Sequence, residues 1–440
     1  MLQLEVNAVR GLSLGLRSDG LLAIALLSVI AKTCVDYFLF AVSPVFGIYG
    51  VEVKGSFFSD IYWLSWVSYI FVMPAYFLFI SGRGDIFDFA LSFLFFSIFL
   101  PLLSLFWIEQ GDLSYLSFCS IFWFLLFLAL ALLPVTRTVV RNDNVASRVE
   151  GFLDWFFLAV VVLLGGSLLL NFSIFSGFGF DSVYERRKAF TAWLGGGLSS
   201  YLYAWSVYVF GVYLVFVSRR KLFKLVGLLY VLIFYAVAGD KVYLFLLALV
   251  FFLRMTPLLG GASLLLCGFI FLSLSGVGFF YLLGDIWVPT IVQRFLALPV
   301  DISFNYVEYF KSEPLLYAYS FLSSLFDYSY SDLPAKLIGA EYYVVGDNAT
   351  VNFLADAYVN LGWVAIAPLL FFFVSLRAIL RSSKYLVLIV PVFTQALDTP
   401  LPTLLLTGGG GLMIIICYML SKHSLRQARG AGCQALSSCA

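Results

Sequence analysis

The chain has 440 residues, of which 62% are hydrophobic and 12% charged, and its mean hydropathy is +1.01. A soluble domain is about half apolar and about one-quarter charged, so this composition leaves too little polar surface to cover a water-soluble globule. The formal net charge of +1 excludes a general attraction to nucleic acid or to acidic partners.

Along the chain, apolar runs such as FFLAVVVLLGGSLLL (156–170) do not alternate in polarity. That excludes the alternating strands of a membrane barrel and predicts helices that satisfy their own backbone hydrogen bonds inside a bilayer. The expected fold class is all-α: a polytopic integral membrane protein with about 12 transmembrane helices and two long external loops containing short surface helices. In chain order the candidate spans are 21–40, 61–80, 86–107, 113–134, 152–170, 198–217, 222–238, 242–254, 258–282, 359–380, 385–398 and 403–421. The pair joined through YAVAGDKVYLFLLALVFFL (235–253), 222–238 and 242–254, has halves short enough to form either two brief spans or a re-entrant hairpin. Residues 1–440 read as a single transmembrane domain, with no internal repeat and no inverted pair of halves.

Arg10 and Arg17 precede the first apolar run, and no small-residue cleavage pattern follows, which predicts an uncleaved first span. With the N-terminus in the cytoplasm, 17 of the 26 lysines and arginines fall in consistently alternating inner segments; the opposite orientation would invert nearly every short loop. Both termini are therefore expected inside, including a basic and then small, polar tail over 422–440. Two outer segments are too long to be connectors: 171–197 and 283–358. Long loops of this kind usually carry function. Apolar residues in IVQRFLALP and FNYVEYF recur at helical spacing, predicting short helices at the membrane surface.

The outer segments concentrate the charge. Glu185, Arg186, Arg187 and Lys188 form the densest cluster. Arginine suits bidentate binding of phosphate or pyrophosphate, although a solvated turn with a Glu–Arg pair accounts for the same residues. Asp240 and Lys241, after Gly239, interrupt an apolar stretch. A charge there is costly and so marks a functional candidate, with a tight Asp–Lys turn as the plainer alternative. Arg294 is the sole cation of an apolar surface helix. Glu308, Asp347 and Asp356 are outer carboxylates, any of which can act as a general base toward a sugar hydroxyl. Trp193, Tyr306 and Tyr309 are aromatic rings suited to stacking on sugars. Lys32 and Asp36 lie one turn apart in the first span and are expected to neutralise each other.

Other chemistries are poorly served. Cys34, Cys119, Cys267 and Cys417 fall within apolar runs, Cys433 and Cys439 lie in the tail, and none forms a CxxC pair. The only histidine, His423, sits in the tail, which rules out an external histidine-based zinc site or a Ser–His triad. With no Walker A motif either, no metal and no cofactor is expected.

The stretch DNATVNFLADAYVNLGWVAIAPLLFF (347–372), together with QRFLALPVDISFNYVEYF (293–310), AGDKVYLFLLALVFFL (238–253) and VYERRKAF (183–190), resembles the Wzy-type O-antigen or exopolysaccharide repeat-unit polymerases of bacteria. The resemblance covers about 180–380 as separate short motifs, and topology contributes as much to it as residues do. It implies a metal-independent membrane glycosyltransferase in the bacterial inner membrane. Such an enzyme joins oligosaccharide units carried on undecaprenyl diphosphate at the periplasmic face. Its partners would be that lipid-linked oligosaccharide, the lipid bilayer and a candidate chain-length regulator, with no nucleic acid.

Carried onto this sequence, the resemblance makes Arg186, Arg187, Lys241 and Arg294 stabilisers of the departing diphosphate; Asp356 is the carboxylate set beside them as a catalytic candidate, with the identity of the general base open. Glu185, Asp240, Tyr306, Tyr309, Asp347 and Tyr358 would contact substrate. The related O-antigen ligases share the topology but use a histidine in the large periplasmic loop, which this chain lacks. A flippase or transporter of lipid-linked sugars is the alternative of a different class; it would be expected to show paired halves and several intramembrane charges.

Overall fold

The computed structural model describes residues 18–42, 53–81, 85–133, 148–171, 183–195, 197–238, 261–311, 314–320, 325, 328, 330–343, 349–380 and 384–420. Among these residues all regular structure is helical and there is no strand. The contacts group the chain into two compact units. The first comprises residues 1–135, 257–378 and 396–401, and the second comprises 136–256, 379–395 and 402–440.

In the first unit, α1 (Ser18–Ala41), α2 (Asp60–Ile80), α3 (Ile86–Glu109) and α4 (Leu113–Leu132) are followed by α9 (Gly261–Leu283), α10 (Trp287–Leu296), α11 (Leu298–Tyr309), α12 (Pro334–Tyr342) and α13 (Phe353–Ile379). The second unit holds α5 (Arg148–Leu170), α6 (Val183–Leu194), α7 (Leu198–Phe216) and α8 (Lys221–Ala238). It also holds two shorter apolar helices, Tyr385–Gln395 and Gly410–Leu420.

Nine helices among the described residues are long and apolar enough to cross a membrane: α1 to α5, α7 to α9 and α13. The protein is therefore a polytopic helical membrane protein. Of the remaining expected spans, 242–254 lies outside the described residues, and 385–398 and 403–421 contain the two shorter helices. Large apolar side chains lie open on the spans, including Leu163 at 73% and Phe371 at 76% exposure. Outward-facing apolar residues of this size fit acyl chains rather than water.

Helix α3 is apolar on every face, and its spanning window is buried throughout, as a helix without a polar stripe must be when it sits at the centre of a bundle. Helices α1, α2, α4, α9 and α11 pack against it. The packing is aromatic: Tyr76 stacks on Phe95 at 5.3 Å, Phe95 on Phe99 at 5.1 Å, and Trp123 on Phe127 at 5.6 Å. A capping box closes the start of α3, with Asp85 accepting from the Asp88 backbone N–H and the Asp88 side chain accepting from that of Asp85. Arg377, near the end of α13, binds half-buried Asp85 Oδ2 at 2.8 Å and lies 3.6 Å from buried Asp88 Oδ1, and so compensates both acids.

The Lys32–Asp36 pair of α1 is formed as expected, at 2.7 Å, with the two side chains 0% and 1% exposed. Asp36 Oδ1 accepts from Ser104 Oγ at 2.6 Å and from Trp107 Nε1 at 3.2 Å, while Lys32 Nζ lies 4.3 Å from the Trp66 ring. Both ions are thus solvated by the protein itself, the condition under which a buried pair is tolerable. Gly276 of α9 allows α1 to approach closely: a Cβ there would lie 2.3 Å from Phe38 Cε2.

In the second unit α7 contains a π-helical turn over Ser206–Gly211. The extra residue it inserts accompanies the hydrogen bond between Ser206 Oγ and the Tyr230 hydroxyl of α8. Trp205 Nε1, just before that turn, donates to Thr407 O at 3.0 Å.

Candidate functional site

The residues between α9 and α13, with the first turns of α13, build a buried polar cluster in the first unit. Helices α10 and α11 follow each other directly, with Pro299 in the first turn of α11 supplying a fixed φ and no unsatisfied N–H. These are the segments for which short helices were predicted. Helix α13 begins at Phe353 rather than near 359, because Asn352 caps it: its Oδ1 accepts from Leu354 and Ala355 N–H at 3.0 and 3.1 Å. Asn352 Nδ2 donates to Ser303 Oγ at 2.6 Å, tying that start to α11.

Asp356 is therefore a first-turn residue of α13 and not a loop carboxylate. It is 2% exposed. Its Oδ2 accepts from the Tyr317 hydroxyl at 3.1 Å, and its Oδ1 accepts from the Tyr319 hydroxyl at 2.9 Å and from Asn360 Nδ2 at 3.2 Å. The tyrosines are delivered by a turn clamped to α13. Leu315 and Leu316 N–H donate to Val359 O and Asn360 O, and Tyr317 N–H donates to Asn360 Oδ1 at 2.8 Å. Leu316 and Tyr317 both hold a positive φ, of 50° and 57°. Two consecutive non-glycine residues in the left-handed region are costly, and strain of this kind clusters at functional sites. Burial and the neighbouring Asp356 carboxylate together push both tyrosine hydroxyls well above their ordinary pKa, so they act as donors.

A second carboxylate, Asp301 of α11, accepts from the Tyr343 hydroxyl at 2.6 Å, and Asn305 Nδ2 donates to that hydroxyl at 2.9 Å. Burial raises Asp301 to about 6, only partly opposed by the Tyr343 hydrogen bond. At the rim, Asp112 caps α4 and binds Lys311 Nζ at 3.0 Å. Burial there opposes ionisation, but Lys311 and two backbone N–H groups outweigh it and hold Asp112 below its ordinary pKa.

The structure distributes the residues singled out from sequence. Asp356 and Tyr306 join the first unit's polar cluster, yet Tyr306 is 3% exposed and donates to Ala349 O at 3.0 Å, so protein already covers the ring expected to stack on a sugar. Tyr309 is half-buried among Phe310, Tyr330 and Tyr342. Tyr358 is half-buried, bonded to Ser114 Oγ at 2.9 Å and packed on Phe118. Arg294 and Glu308 are exposed, on α10 and α11.

Arg186 belongs to α6 in the second unit and is 5% exposed, its Nη1 donating to Ala236 O at 2.7 Å. It was expected on an open loop. Instead it satisfies a carbonyl in the last turn of α8, where a cation complements the helix dipole. Trp193 of the same helix packs on Phe190 and Tyr203. Asp240, Lys241 and Asp347, and the side chains of Glu185 and Arg187, lie outside the described residues.

Sequence reading did not single out Tyr317, Tyr319, Asn360, Asp301 and Tyr343. The available signals were the density of tyrosine over 306–343 and Asn360 standing four residues after Asp356, one helical turn away.

Among the described residues no group of histidine, cysteine or carboxylate side chains has the arrangement to hold a metal ion. No family model matches the chain, and no curated protein or solved structure matches it.

Proposed function

We propose that the chain polymerises undecaprenyl-diphosphate-linked oligosaccharide repeat units into a surface polysaccharide, acting as a membrane glycosyltransferase of the Wzy kind. In this reading it lies in a bacterial inner membrane with twelve spans, both termini in the cytoplasm, and segments 171–197 and 283–358 at the periplasmic face. The observation that carries the reading is Asp356: a buried carboxylate in the first turn of a span, held by Asn360 of its own helix and by two tyrosine hydroxyls from a strained turn.

Asp356 accepts the proton of the acceptor sugar hydroxyl after exchanging a tyrosine partner for it. The new glycosidic bond forms at the anomeric carbon as its bond to the diphosphate oxygen breaks, and the diphosphate leaves with the electron pair. Arg294, exposed on α10, stabilises that charge in the first unit. The resemblance also assigns Arg187 and Lys241 to the departing diphosphate, whereas Arg186 is held on the Ala236 carbonyl of α8. Tyr309 and Tyr358 border the sugar. The stored energy of the lipid diphosphate drives transfer, consistent with the missing nucleotide motif.

A ligase fits less well, because the only histidine is His423 in the tail. A transporter also fits less well: the one buried ion pair of α1 has both Asp36 oxygens occupied by Lys32, Ser104 and Trp107, which suits a packing lock better than an ion path. Deletion followed by gel analysis of the surface glycan tests the proposal. The expected outcome is lipid core carrying single repeat units. Core with none points to a flippase, and an unchanged ladder overturns the reading.

A further inference from the structure

Six tyrosines of the first unit follow one another outward from the Asp356 cluster. Between ring centroids, Tyr317 and Tyr319 lie 6.3 Å apart, Tyr319 and Tyr328 5.9 Å, and Tyr328 and Tyr330 5.5 Å. Tyr330 and Tyr309 follow at 6.1 Å, and Tyr309 and Tyr342 at 6.5 Å. Successive ring planes are inclined by 41° to 75°, so no ring closes the face of the next. The first five are half-buried, and Tyr342, the last residue of α12, is 38% exposed.

The row divides at Tyr328. The three inner hydroxyls are engaged: Tyr317 and Tyr319 donate to Asp356, and Tyr328 donates to Asp332 O at 2.6 Å. Among the described residues the hydroxyls of Tyr330, Tyr309 and Tyr342 have no hydrogen-bond partner, and they are not sealed from solvent. Packing alone would be served by phenylalanine, as at buried Phe310, whose ring meets Tyr309 and Tyr330 at 4.9 and 5.2 Å. A half-open ring with an unused hydroxyl is an amphipathic surface. It matches a pyranose, whose C–H face is apolar and whose rim carries hydroxyls.

Charge narrows the ligand. Burial, and then the charges of Glu308 and Glu341, raise the Tyr342 hydroxyl above its ordinary pKa. Both acids are exposed. The nearby lysines are paired with other acids, Lys311 with Asp112 at 3.0 Å and Lys336 with Asp332 at 3.1 Å. The outer end of the row is therefore acidic and repels carboxylates.

We infer that Tyr330, Tyr309 and Tyr342 form a stacking platform for neutral pyranose sugars, continued by the inner tyrosines to Asp356. Its direction, toward Asp356, rests on the polymerase reading, to which the platform adds a class of glycan: neutral, and held by ring faces rather than by one sugar's pattern of hydroxyls.

The test is saturation-transfer NMR of the purified full chain in a sugar-free detergent, titrated with maltohexaose and with hexagalacturonate. Maltohexaose should receive saturation on its ring C–H protons. Hexagalacturonate, with a carboxylate on every ring, should bind about fivefold more weakly. Tyr330→Leu combined with Tyr342→Leu keeps apolar bulk and should weaken maltohexaose about tenfold, the scale of two aromatic contacts. Tyr330→Phe combined with Tyr342→Phe keeps the rings and should retain most of the binding. For the unaltered chain, no transfer to maltohexaose, or equal or tighter binding of hexagalacturonate, overturns the proposal; this comparison needs no variant. A folded leucine pair that binds as the unaltered chain does overturns it equally, as does a phenylalanine pair as weak as the leucine pair. No glycosidic bond forms in this assay, so its failure leaves the Asp356 reading standing, and a failure of polymer synthesis leaves the platform standing.

Discussion

Asp356 is a buried carboxylate whose hydrogen-bond partners are all neutral: Tyr317, Tyr319 and Asn360. A residue kept only for stability would more economically be an amide or an apolar side chain, because an ion in this position pays desolvation without a counter-charge. Asp356→Asn is therefore expected to leave the fold intact while lowering polymer formation by roughly 10²–10⁴-fold, the range of one general base, measured as glycan chain length at matched protein abundance. Tyr319→Phe removes one donor and should cost about 1–2 kcal/mol of stability in a thermal unfolding comparison.

Asp301 makes a pH prediction. Its pKa in the folded protein, about 6, lies above the ordinary 3.8, so the folded state holds the proton more tightly. Stability is then greatest below the unfolded value and is lost as pH rises through about 6, by at most roughly 3 kcal/mol. The unfolding temperature should rise on acidification from pH 7 to 5, and Asp301→Asn should reduce that rise. Of this chemistry, the carboxylate Asp356 was legible in the sequence. Its tyrosine partners were not, since they come from a turn 37 and 39 residues away that no local pattern fixes.

At the scale of the element, long apolar helices were legible because a spanning helix needs one continuous run. Their ends were less so. Asn352 starts α13 earlier than hydropathy alone suggested, since a cap depends on one polar side chain and not on a run. The Lys32–Asp36 pair was legible from its one-turn spacing, but Ser104 and Trp107, contributed by α3, were not. Lys32→Met alone should cost about 3–5 kcal/mol by stranding Asp36, and Lys32→Met with Asp36→Leu should recover most of that loss, measured as unfolding temperature in detergent. Gly276→Val should also destabilise, by about 1–3 kcal/mol, because its side chain would have to displace Phe38 between α9 and α1.

For the whole molecule, the composition declared a membrane protein, and nine long apolar helices among the described residues agree. The grouping into two units was invisible in sequence, because both are built from the same apolar residues and each draws on distant parts of the chain. The polymerase account joins a resemblance of scattered motifs to one buried acid on a span, and it makes a demand that neither a transporter nor a scaffold meets. Purified chain reconstituted in liposomes with undecaprenyl-diphosphate-linked repeat units, without nucleotide, should yield a ladder of lengthened lipid-linked glycans that Asp356→Asn abolishes. Movement of the lipid-linked unit across the bilayer with no new glycosidic bond would contradict the account.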